Sequence, residues 1–276
     1  MRESKKKNYD FESWKKELVI VRGGGDIASG TIYKLFQCGF PVLVLEVEIP
    51  SCIRRSVSFC EAVCLGSVQV EGVVAKKAEN LSQAYHIYQK GEIPVMADED
   101  GRMIKEVSPA VLVDAILAKK NLETRKNDAP VVIGLGPGFC AGDDVDAVVE
   151  TKRGHRLGRV IYEGCAIANT GVPGIIAGYG AERVIHSPAD GNLHIIKDIG
   201  NDTIAGEIIA YVGETPIKAT ISGIVRGMIR EGYPVKKGLK IADIDPRREE
   251  KENCYLISDK ARCVAGGVLE AILHLQ

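Results

Sequence analysis

The sequence predicts an α/β protein whose first part is a Rossmann-like, doubly wound parallel sheet. Three observations support this fold class: an apolar strand leads into a glycine-rich loop and a helix, strand-like and helix-like segments then alternate, and a second apolar strand meets another glycine-rich loop. We assign residues 1–180 to this ligand-binding domain and residues 181–247 to an all-β domain. Residues 248–276 are expected to form a C-terminal strand and helix that pack back on the first domain.

The individual elements follow from the spacing of apolar residues. Strands are predicted at 18–21, 41–46, 68–74, 93–97 and 130–133, helices at 27–36, 55–65, 80–90, 110–119 and 258–275, and a polar linker at 121–128. The helix at 110–119 is predicted from Ser108 and Pro109, because serine is favoured at the N-cap and proline at the first helical position.

The β region contains an internal repeat with an offset of 32 residues. Gly191, Gly200 and Gly206 recur as Gly223, Gly232 and Gly238, and the pair Ile209-Ala210 recurs as Ile241-Ala242. Each copy is too small to bury its apolar face alone, so the copies are expected to interlock in a barrel-sandwich hybrid of the biotinyl or lipoyl type. The connection around Lys218 lacks the lysine-bearing turn of those carriers, which favours a rigid platform or interaction module.

Composition limits the possible partners and location. The chain has 276 residues, and 36 basic residues against 37 acidic ones give a net charge of -1, so we expect binding neither to nucleic acid nor to a membrane surface. No apolar run approaches the ~20 residues that span a bilayer, and the basic N-terminus lacks the apolar core of a signal peptide. We therefore expect a cytoplasmic protein with its eight cysteines reduced.

The strongest candidate site is the first glycine-rich loop. Gly23, Gly25 and Ala28 have the spacing of a dinucleotide-binding loop, which lets main-chain amides approach a phosphate at the start of a helix. Glu46 ends the next strand, where such folds place the acid that binds a ribose diol. A close-packed turn without ligand is the alternative, and Asp26 would repel a pyrophosphate unless it turned away, capped the helix or met a cation.

Further candidates lie in the second glycine-rich loop and in the polar stretch that follows it. The loop at 134–139 also follows an apolar strand, and a rigid turn is its alternative interpretation. The stretch at 143–159 offers cations for an oxyanion and two acids, Asp144 and Asp146, for a metal, with a solvated loop as the alternative. The cofactor-binding candidates are Gly23, Gly24, Gly25, Asp26, Ala28, Glu46, Arg54, Gly134, Gly136, Gly138, Lys152, Arg153, His155 and Arg159.

Several longer segments resemble one family of accessory proteins. They are RGGGDIASG (22–30), EGVVA (71–75), GLGPGF (134–139), DDVDAVVETKRGHRLGRV (143–160), NTGVPG (169–174), ADIDPR (242–247) and SDKARCVAGGVLEAI (258–272). In these segments the chain resembles the YqeB-like accessory proteins of selenium-dependent molybdenum hydroxylase systems, which are distantly similar to the Rossmann part of XdhC-type maturation proteins.

The resemblance implies a maturation protein that handles the molybdenum cofactor, or its selenium ligand, before insertion into a hydroxylase. The ligand would be that cofactor or a nucleotide, and the partners would be the hydroxylase apoprotein or other maturation proteins, with homo-oligomerisation left open. Cys140, directly after the second loop, is the candidate thiolate for chalcogen transfer, and a buried structural thiol is its alternative. The competing functions are an NAD(P)-dependent oxidoreductase, which the first loop and Glu46 equally favour, and a non-enzymatic scaffold that binds the hydroxylase.

Overall fold

A large, mostly parallel β-sheet is the central feature of the chain. The computed structural model describes residues 9–169, 171 and 174–276, and these fall into two units. One unit consists of Met1–Pro50, Ser58–Asn169 and Ile257–Gln276, and the other of Ser51–Val57 and Thr170–Leu256. The basic leader, residues 1–8, and half of the 169–174 motif lie outside the described residues. None of the described helices is both long and apolar enough to cross a bilayer.

The first unit contains the predicted alternation of strands and helices. Its strands are β1 (Val19–Arg22), β2 (Val42–Glu46), β3 (Ser67–Val70), β4 (Val73–Lys77), β5 (Ile93–Ala97), β6 (Val111–Asp114), β7 (Val131–Leu135), β8 (Cys140–Ala141), β9 (Ala147–Val149), β10 (Val160–Ile161) and β11 (Gly164–Cys165). Its helices are α1 (Phe11–Glu17), α2 (Asp26–Gln37), α3 (Glu61–Leu65), α4 (Leu81–Gln89), α5 (Arg102–Val107) and α6 (Asp259–Leu275).

Nine of these strands form one sheet, in the order β10-β9-β7-β6-β1-β2-β5-β4-β3. The strands from β9 to β4 run parallel to their neighbours, whereas β3 and β10 at the two edges are antiparallel. The central strands β1, β6 and β7 are buried along their whole length, as expected for parallel strands covered on both faces. The mixed α/β fold with a large parallel sheet is thus confirmed.

The order of the strands reverses at β1, which marks the expected binding edge. β2 lies on one side of β1 and β6 on the other, so the connections leave the carboxyl ends of β1 and β6 in opposite directions. Ligands of open α/β sheets bind in the crevice outside the carboxyl ends at such a switch point.

The helix predicted at residues 110–119 is wrong, because this segment contains strand β6. Ser108 does not start a helix but ends α5 in a left-handed conformation, with a φ of 52°. The apolar residues at 111–113 are fully buried between β1 and β7. Burial on both faces of the sheet therefore outweighs the preference of Ser108 and Pro109 for a helix start.

Two other segments differ from their predicted form. The single strand expected at 68–74 is a hairpin of β3 and β4 that turns at Glu71 and Gly72, both with positive φ. The helix expected at 55–65 is interrupted, with a 3-10 turn at Arg55–Val57 and the short helix α3. The interruption is stabilised by the main-chain amide of Phe59, which donates to the Ser29 hydroxyl.

The second unit consists of antiparallel strands in two four-stranded sheets. Its strands are β12 (Val184–His186), β13 (Gly191–Ile195), β14 (Asp202–Thr203), β15 (Ile208–Val212), β16 (Thr215–Lys218), β17 (Gly223–Met228), β18 (Pro234–Val235) and β19 (Lys240–Asp245). The sheet orders are β12-β19-β17-β14 and β16-β15-β13-β18. The strand expected after residue 247 is wrong, because Arg248–Tyr255 is a 3-10 helix that belongs to this unit.

The sequence repeat explains the pairing in the second unit. The first copy supplies β13, β14 and β15, and the second supplies β17, β18 and β19. β14 of the first copy pairs with β17 of the second, while β18 of the second pairs with β13 of the first. Each copy therefore completes a sheet of the other, and the repeated pairs Ile209-Ala210 and Ile241-Ala242 are fully buried.

Candidate functional site

The parallel strands bring polar side chains to one edge of the first unit's sheet. Arg22 ends β1, Glu46 ends β2 and Asp114 ends β6, while Asp98 follows β5 and Glu150 follows β9. Because these strands all run in the same direction, the five side chains share the carboxyl edge.

A cavity of about 530 Å³ lies at this edge. Gly23 and Glu46 of the predicted site contribute to its wall. Three cationic side chains line the cavity, against six acidic ones. This excess of acid favours a hydroxyl-rich part of a ligand over a bare phosphate inside the cavity.

The first glycine-rich loop is partly filled by the protein's own atoms. The amide of Gly24 donates to Glu46 Oε2 at 2.8 Å, and a Cβ at Gly24 would lie 2.8 Å from the main-chain nitrogen of Cys60. A Cβ at Gly23 would lie 2.9 Å from the carbonyl oxygen of Ala115. Gly23 and Gly24 are thus required by close packing, and the Gly24 amide already has an acceptor.

Gly25 and the start of α2 remain open. A Cβ at Gly25 would meet no atom within 4 Å, and Gly25 as N-cap supplies no side-chain hydrogen bond to the helix. The amides of Asp26, Ile27 and Ala28 have no acceptor among the described residues. Exposed amides and the helix dipole make this end of the twelve-residue helix suitable for an anionic group.

Glu46 is fixed between the loop and the cavity. Its Oε2 accepts from the Gly24 amide, and its Oε1 accepts from the Val47 amide at 2.9 Å. Burial raises the pKa of the Glu46 carboxyl and the nearby Glu61 raises it further, while the two amides act in the opposite direction. Each carboxylate oxygen retains a second lone pair for a ligand hydroxyl.

A buried network supports the crevice between β1 and β6. Arg22 donates to the Thr124 hydroxyl at 2.7 Å and to the Leu122 carbonyl at 3.1 Å, and its Nη1 lies 3.4 Å from Asp114 Oδ2. Thr124 in turn donates to Asp114 at 2.6 Å. Burial raises the pKa of Asp114, against the Thr124 hydrogen bond and the Arg22 charge. The network holds the 115–130 loop, part of which lines the cavity.

Lys260, in the first turn of α6, is a cation at the same edge. It is half-buried and forms no ion pair with any residue that the structure describes. Burial lowers the pKa of its ammonium and Arg153 lowers it further, while the carboxylates of Asp26, Glu150 and Asp259 act in the opposite direction. Asp26 therefore has a cation in its vicinity, one of the arrangements that would let an anion bind beside it.

The second glycine-rich loop is a close-packed turn, not an open phosphate loop. A Cβ at Gly134 would collide with the ring of Phe139, and one at Gly136 with the side chain of Thr151. At Gly138, a Cβ would lie 2.7 Å from the backbone of Lys120, and the Gly136 amide already donates to the Val149 carbonyl. Packing accounts for all three glycines, and we remove them from the candidate site.

The polar stretch after β9 is organised by the buried side chain of Glu150. Glu150 accepts from the amides of Lys152 and Ile167 at 2.7 and 2.8 Å. The Arg153 guanidinium pairs with both oxygens of Asp259. The exposed side chains of Lys152, His155 and Arg159 lie on the surface of this stretch.

The two acids predicted to bind a metal have structural roles instead. Asp144 accepts from the Cys140 amide at 2.9 Å, and Asp146 accepts from the Val132 amide at 2.9 Å and lies 3.5 Å from the Lys126 ammonium. Neither acid belongs to a cluster of three potential metal ligands among the described residues.

Two further predictions need correction. Cys140 is not a reduced thiol, because its sulfur is bonded to that of Cys165. Arg54 belongs to the second unit, where it is buried and donates to the carbonyls of Asn253 and Leu256 at 3.0 and 3.4 Å. We therefore remove Arg54 from the candidate site of the first unit.

The sequence interpretation missed two residues of this edge, Arg22 and Asp114, although each ends an apolar run next to a loop. At the start of the last predicted helix, the sequence indicates Lys260 and Arg262 as cations that could close on a ligand, with a solvated face as the alternative. The approach of Lys260 to this edge depends on packing of α6 against α2, more than 200 residues apart in the chain.

Comparison with known proteins confirms the resemblance to YqeB. The chain is 50% identical over 259 residues to the Uncharacterized protein YqeB of Escherichia coli (strain K12), a match that covers 94% of this chain and 48% of that protein. The chain thus spans about half the length of this curated relative. No protein-family model matches the sequence.

Similarities to solved structures are weak. The product-bound ectoine utilization protein EutE (DoeB) of Ruegeria pomeroyi is 13% identical, with a TM-score of 0.26 over 83% of this chain and 85% of that chain. A succinylglutamate desuccinylase/aspartoacylase of Rhodobacter sphaeroides is also 13% identical, with a TM-score of 0.27 over 84% of this chain and 86% of that chain. Scores of this size carry no argument about function.

Proposed function

We propose that the first unit binds an anionic, nucleotide-like ligand at the carboxyl edge of its sheet. The observation that carries the proposal is the cavity of about 530 Å³ beside Gly23 and Glu46, at the edge where the strand order reverses. The sugar of the ligand would occupy this acidic cavity, where Glu46 accepts hydrogen bonds from its hydroxyl groups.

The phosphate of the ligand would lie outside the cavity, at the start of α2. The amides of Asp26, Ile27 and Ala28 have no acceptor among the described residues, and the space next to Gly25 is open. Lys260 would supply the compensating positive charge, since no described residue pairs with it. Separation of the two ends of the ligand resolves the conflict between an anionic ligand and an acidic cavity.

We further propose that this ligand site serves the maturation of a selenium-dependent molybdenum hydroxylase. The support is the resemblance to YqeB-like accessory proteins, together with the fit of an anionic pterin phosphate or its nucleotide form to a helix start. The molybdenum cofactor or a nucleotide would then be held for modification or insertion. In this proposal the second unit is a barrel-sandwich hybrid that contacts the hydroxylase apoprotein or another maturation protein, in the cytoplasm.

An NAD(P)-dependent oxidoreductase is the second candidate function. It is favoured by the position of Glu46 at the end of β2, on the wall of the cavity, because dinucleotide folds use an acid there for the adenosine ribose. The third candidate function is a scaffold that binds no ligand. It is supported by the close packing of Gly23 and Gly24, because a glycine-rich loop filled by protein atoms can be a turn without a ligand.

Calorimetric titration separates these functions. The full chain is titrated with NAD(H), CTP, GTP and a molybdopterin preparation, with and without magnesium. Binding of a nucleotide or molybdopterin without turnover supports the accessory function, whereas NADH binding with a change in absorbance on addition of substrate supports the oxidoreductase. The absence of binding by every ligand contradicts both and leaves the scaffold.

Gly25→Leu tests the position of the phosphate. The substitution fits the fold, because Gly25 has an ordinary φ of -64° and open space around it, but it fills the space at the start of α2. We expect affinity to fall at least tenfold, with a slightly lower melting temperature because glycine is preferred to leucine at an N-cap. Gly266→Leu is the matched control, since Gly266 in α6 also has no atom within 4 Å of a Cβ. Equal affinity of the two variants would exclude the start of α2 as the phosphate site.

A further inference from the structure

Cys140 and Cys165 form a disulfide that joins two short strands of the first unit. The residues lie directly opposite each other in the antiparallel pair of β8 and β11, with Cα atoms 4.0 Å apart. The six other cysteines carry no disulfide. Structural disulfides concentrate in small secreted domains that need several, whereas a single pair in a large reduced chain is typical of catalytic or redox-sensing cysteines. We propose that Cys140 and Cys165 are a dithiol–disulfide exchange site for small anionic thiols.

Both segments are held in place by hydrogen bonds that reduction would leave intact. The Cys140 amide donates to the Asp144 carboxylate, and the Asp144 amide donates back to the Cys140 carbonyl, each at 2.9 Å. On the other side, the Ile167 amide donates to the buried Glu150. The antiparallel pairing of β8 with β11 does not involve the sulfur atoms, so the two thiols remain in reach of each other for reoxidation after the bond opens.

The surroundings of Cys165 favour an anionic reactant. Cys165 is exposed and contributes to a cavity of about 380 Å³ that is also lined by Arg156 and Arg159. Neither guanidinium forms an ion pair with a residue in the described part of the chain. The cavity wall also contains two acids, Glu163 and Glu150, and the Glu150 oxygens accept the amides of Lys152 and Ile167. Guanidinium groups bind carboxylates and stabilise nearby thiolates.

The exchange balances with two equivalents of the small thiol. The thiolate of the first attacks Sγ of Cys165, the more exposed residue of the pair, and breaks the bond to Cys140, which leaves as a thiolate and takes a proton from water. The second thiolate attacks the sulfur of the small molecule in the mixed disulfide and releases Cys165. The protein disulfide is reduced to two thiols, and the two small thiols are oxidised to one disulfide. The reverse sequence restores the protein disulfide.

The rate of reduction tests the proposal. The oxidised full chain is treated with glutathione, which carries two carboxylates, or with cysteamine, a cationic thiol, at equal thiolate concentrations. Alkylation followed by peptide mass spectrometry reports the reduced fraction of Cys140. We expect glutathione to react on the order of tenfold faster than cysteamine. Equal rates, or a bond that glutathione does not open, would overturn the proposal.

Substitutions assign the preference to the cavity. The double variant Arg156→Gln/Arg159→Gln should lose the preference for glutathione, whereas Lys90→Gln, which removes an exposed cation elsewhere in the unit, should keep it. In Cys140→Ser, oxidised glutathione should leave one stable adduct on Cys165, and Cys263→Ser should leave the exchange rate unchanged. A preference that persists in the double variant, or no adduct on Cys165, would contradict the proposed site.

Discussion

At the scale of single residues, Glu46 connects the first glycine-rich loop to the cavity. Both of its oxygens accept main-chain amides, so its position is set before any ligand arrives. A carboxylate held in this way binds hydroxyl groups without an entropic cost for its own ordering. Asp98 is held in the same way by the amides of Arg102 and Met103, so what distinguishes Glu46 is its hydrogen bond to the glycine-rich loop.

Glu46→Gln should therefore reduce the affinity for ribonucleotides about tenfold, because an amide replaces one acceptor oxygen and hydrogen bonds to charged groups contribute about 1.5–3 kcal/mol. The affinity for 2′,3′-dideoxynucleotides should change little, since these ligands lack the diol. Calorimetry with both ligand types measures the difference. Glu99→Gln, which removes a charge from the same cavity, serves as the control. An equal loss of affinity for both ligand types would show that Glu46 does not bind the sugar hydroxyl groups.

Lys260 lowers stability in exchange for a charge at the binding edge. Because its pKa is lowered in the folded protein, the charged ammonium opposes folding below that pKa, and the cost disappears as the pH rises towards the ordinary lysine value of 10.5. Lys260→Met should raise the free energy of unfolding at pH 7 by no more than about 1 kcal/mol, after allowance for solvent screening.

The gain from Lys260→Met should shrink as the pH approaches 10, and the variant should bind the anionic ligand more weakly. Urea unfolding at several pH values and calorimetry measure the two effects. Loss of stability at pH 7 would show that the ammonium is stabilised by its neighbouring carboxylates more than it is penalised by burial.

At the scale of elements, the contact between α2 and α6 depends on one glycine. A Cβ at Gly30 would lie 2.7 Å from the carbonyl oxygen of Ala261, so the helices approach each other over a position without a side chain. This contact brings the first turn of α6, with Lys260, to the carboxyl edge of the sheet.

Gly30→Ala should lower the free energy of unfolding by about 2 kcal/mol, because the collision with rigid backbone exceeds the ~1 kcal/mol by which alanine is favoured over glycine in a helix. Gly266→Ala is the matched control within a helix, where a Cβ meets no atom within 4 Å and stability should rise by up to about 1 kcal/mol. Thermal or urea unfolding measures both. If the two variants behaved alike, the close contact at Gly30 would be ruled out.

Sequence patterns predicted elements where local preference and tertiary burial agree. β1, α2 and β2 follow their predicted order, and Ser258 caps α6 as expected, since its hydroxyl accepts the Ala261 amide at 3.2 Å. The pattern failed at residues 110–119, where local capping signals conflict with burial between two strands. A short apolar run fits either a strand or a helix, and only its neighbours in space decide.

Only the part of the candidate site that lies within one short stretch of sequence could be predicted. The loop at Gly25 and its acid Glu46 lie within one βαβ unit, so spacing along the chain indicates their proximity. The pairing of Cys140 with Cys165 and the approach of Lys260 to Asp26 depend on contacts between distant segments, which no periodicity records. For the same reason, packing of the second glycine-rich loop against Thr151 and Lys120 could not be distinguished from a phosphate loop.

At the scale of the whole molecule, the repeat of the second unit predicts equivalent energetics at equivalent positions. Gly206 and Gly238 occupy the same place in the two copies, with φ of +85° and +86° and no atom within 4 Å of a Cβ. Gly206→Ala and Gly238→Ala should each cost about 1 kcal/mol, because a left-handed conformation is unfavourable for alanine. Urea unfolding of both variants measures the costs, and a difference well above 1 kcal/mol would contradict the structural equivalence of the copies.

Gly223→Ala provides the contrast, because here the repeat is not symmetric. A Cβ at Gly223 would collide with the carbonyl of Asp245, whereas one at Gly191, the matching residue, would meet the Val212 side chain at 3.0 Å. The first position of the repeat should therefore tolerate a side chain in neither copy, because of the main-chain collision at Gly223 and because of the φ of +150° at Gly191.

The crossed pairing of β14 with β17 and of β18 with β13 also constrains how such a unit can arise. A polypeptide with a single copy of the repeat would expose the sheet edge that the other copy covers here. Two identical polypeptides could cover each other's exposed edges by pairing as a dimer. The present arrangement is equivalent to a two-fold symmetric dimer whose halves are joined through residues 213–222, which include β16. Fusion removes the dependence of this association on protein concentration. It also allows the two halves to diverge, and the surroundings of Gly191 and Gly223 already differ.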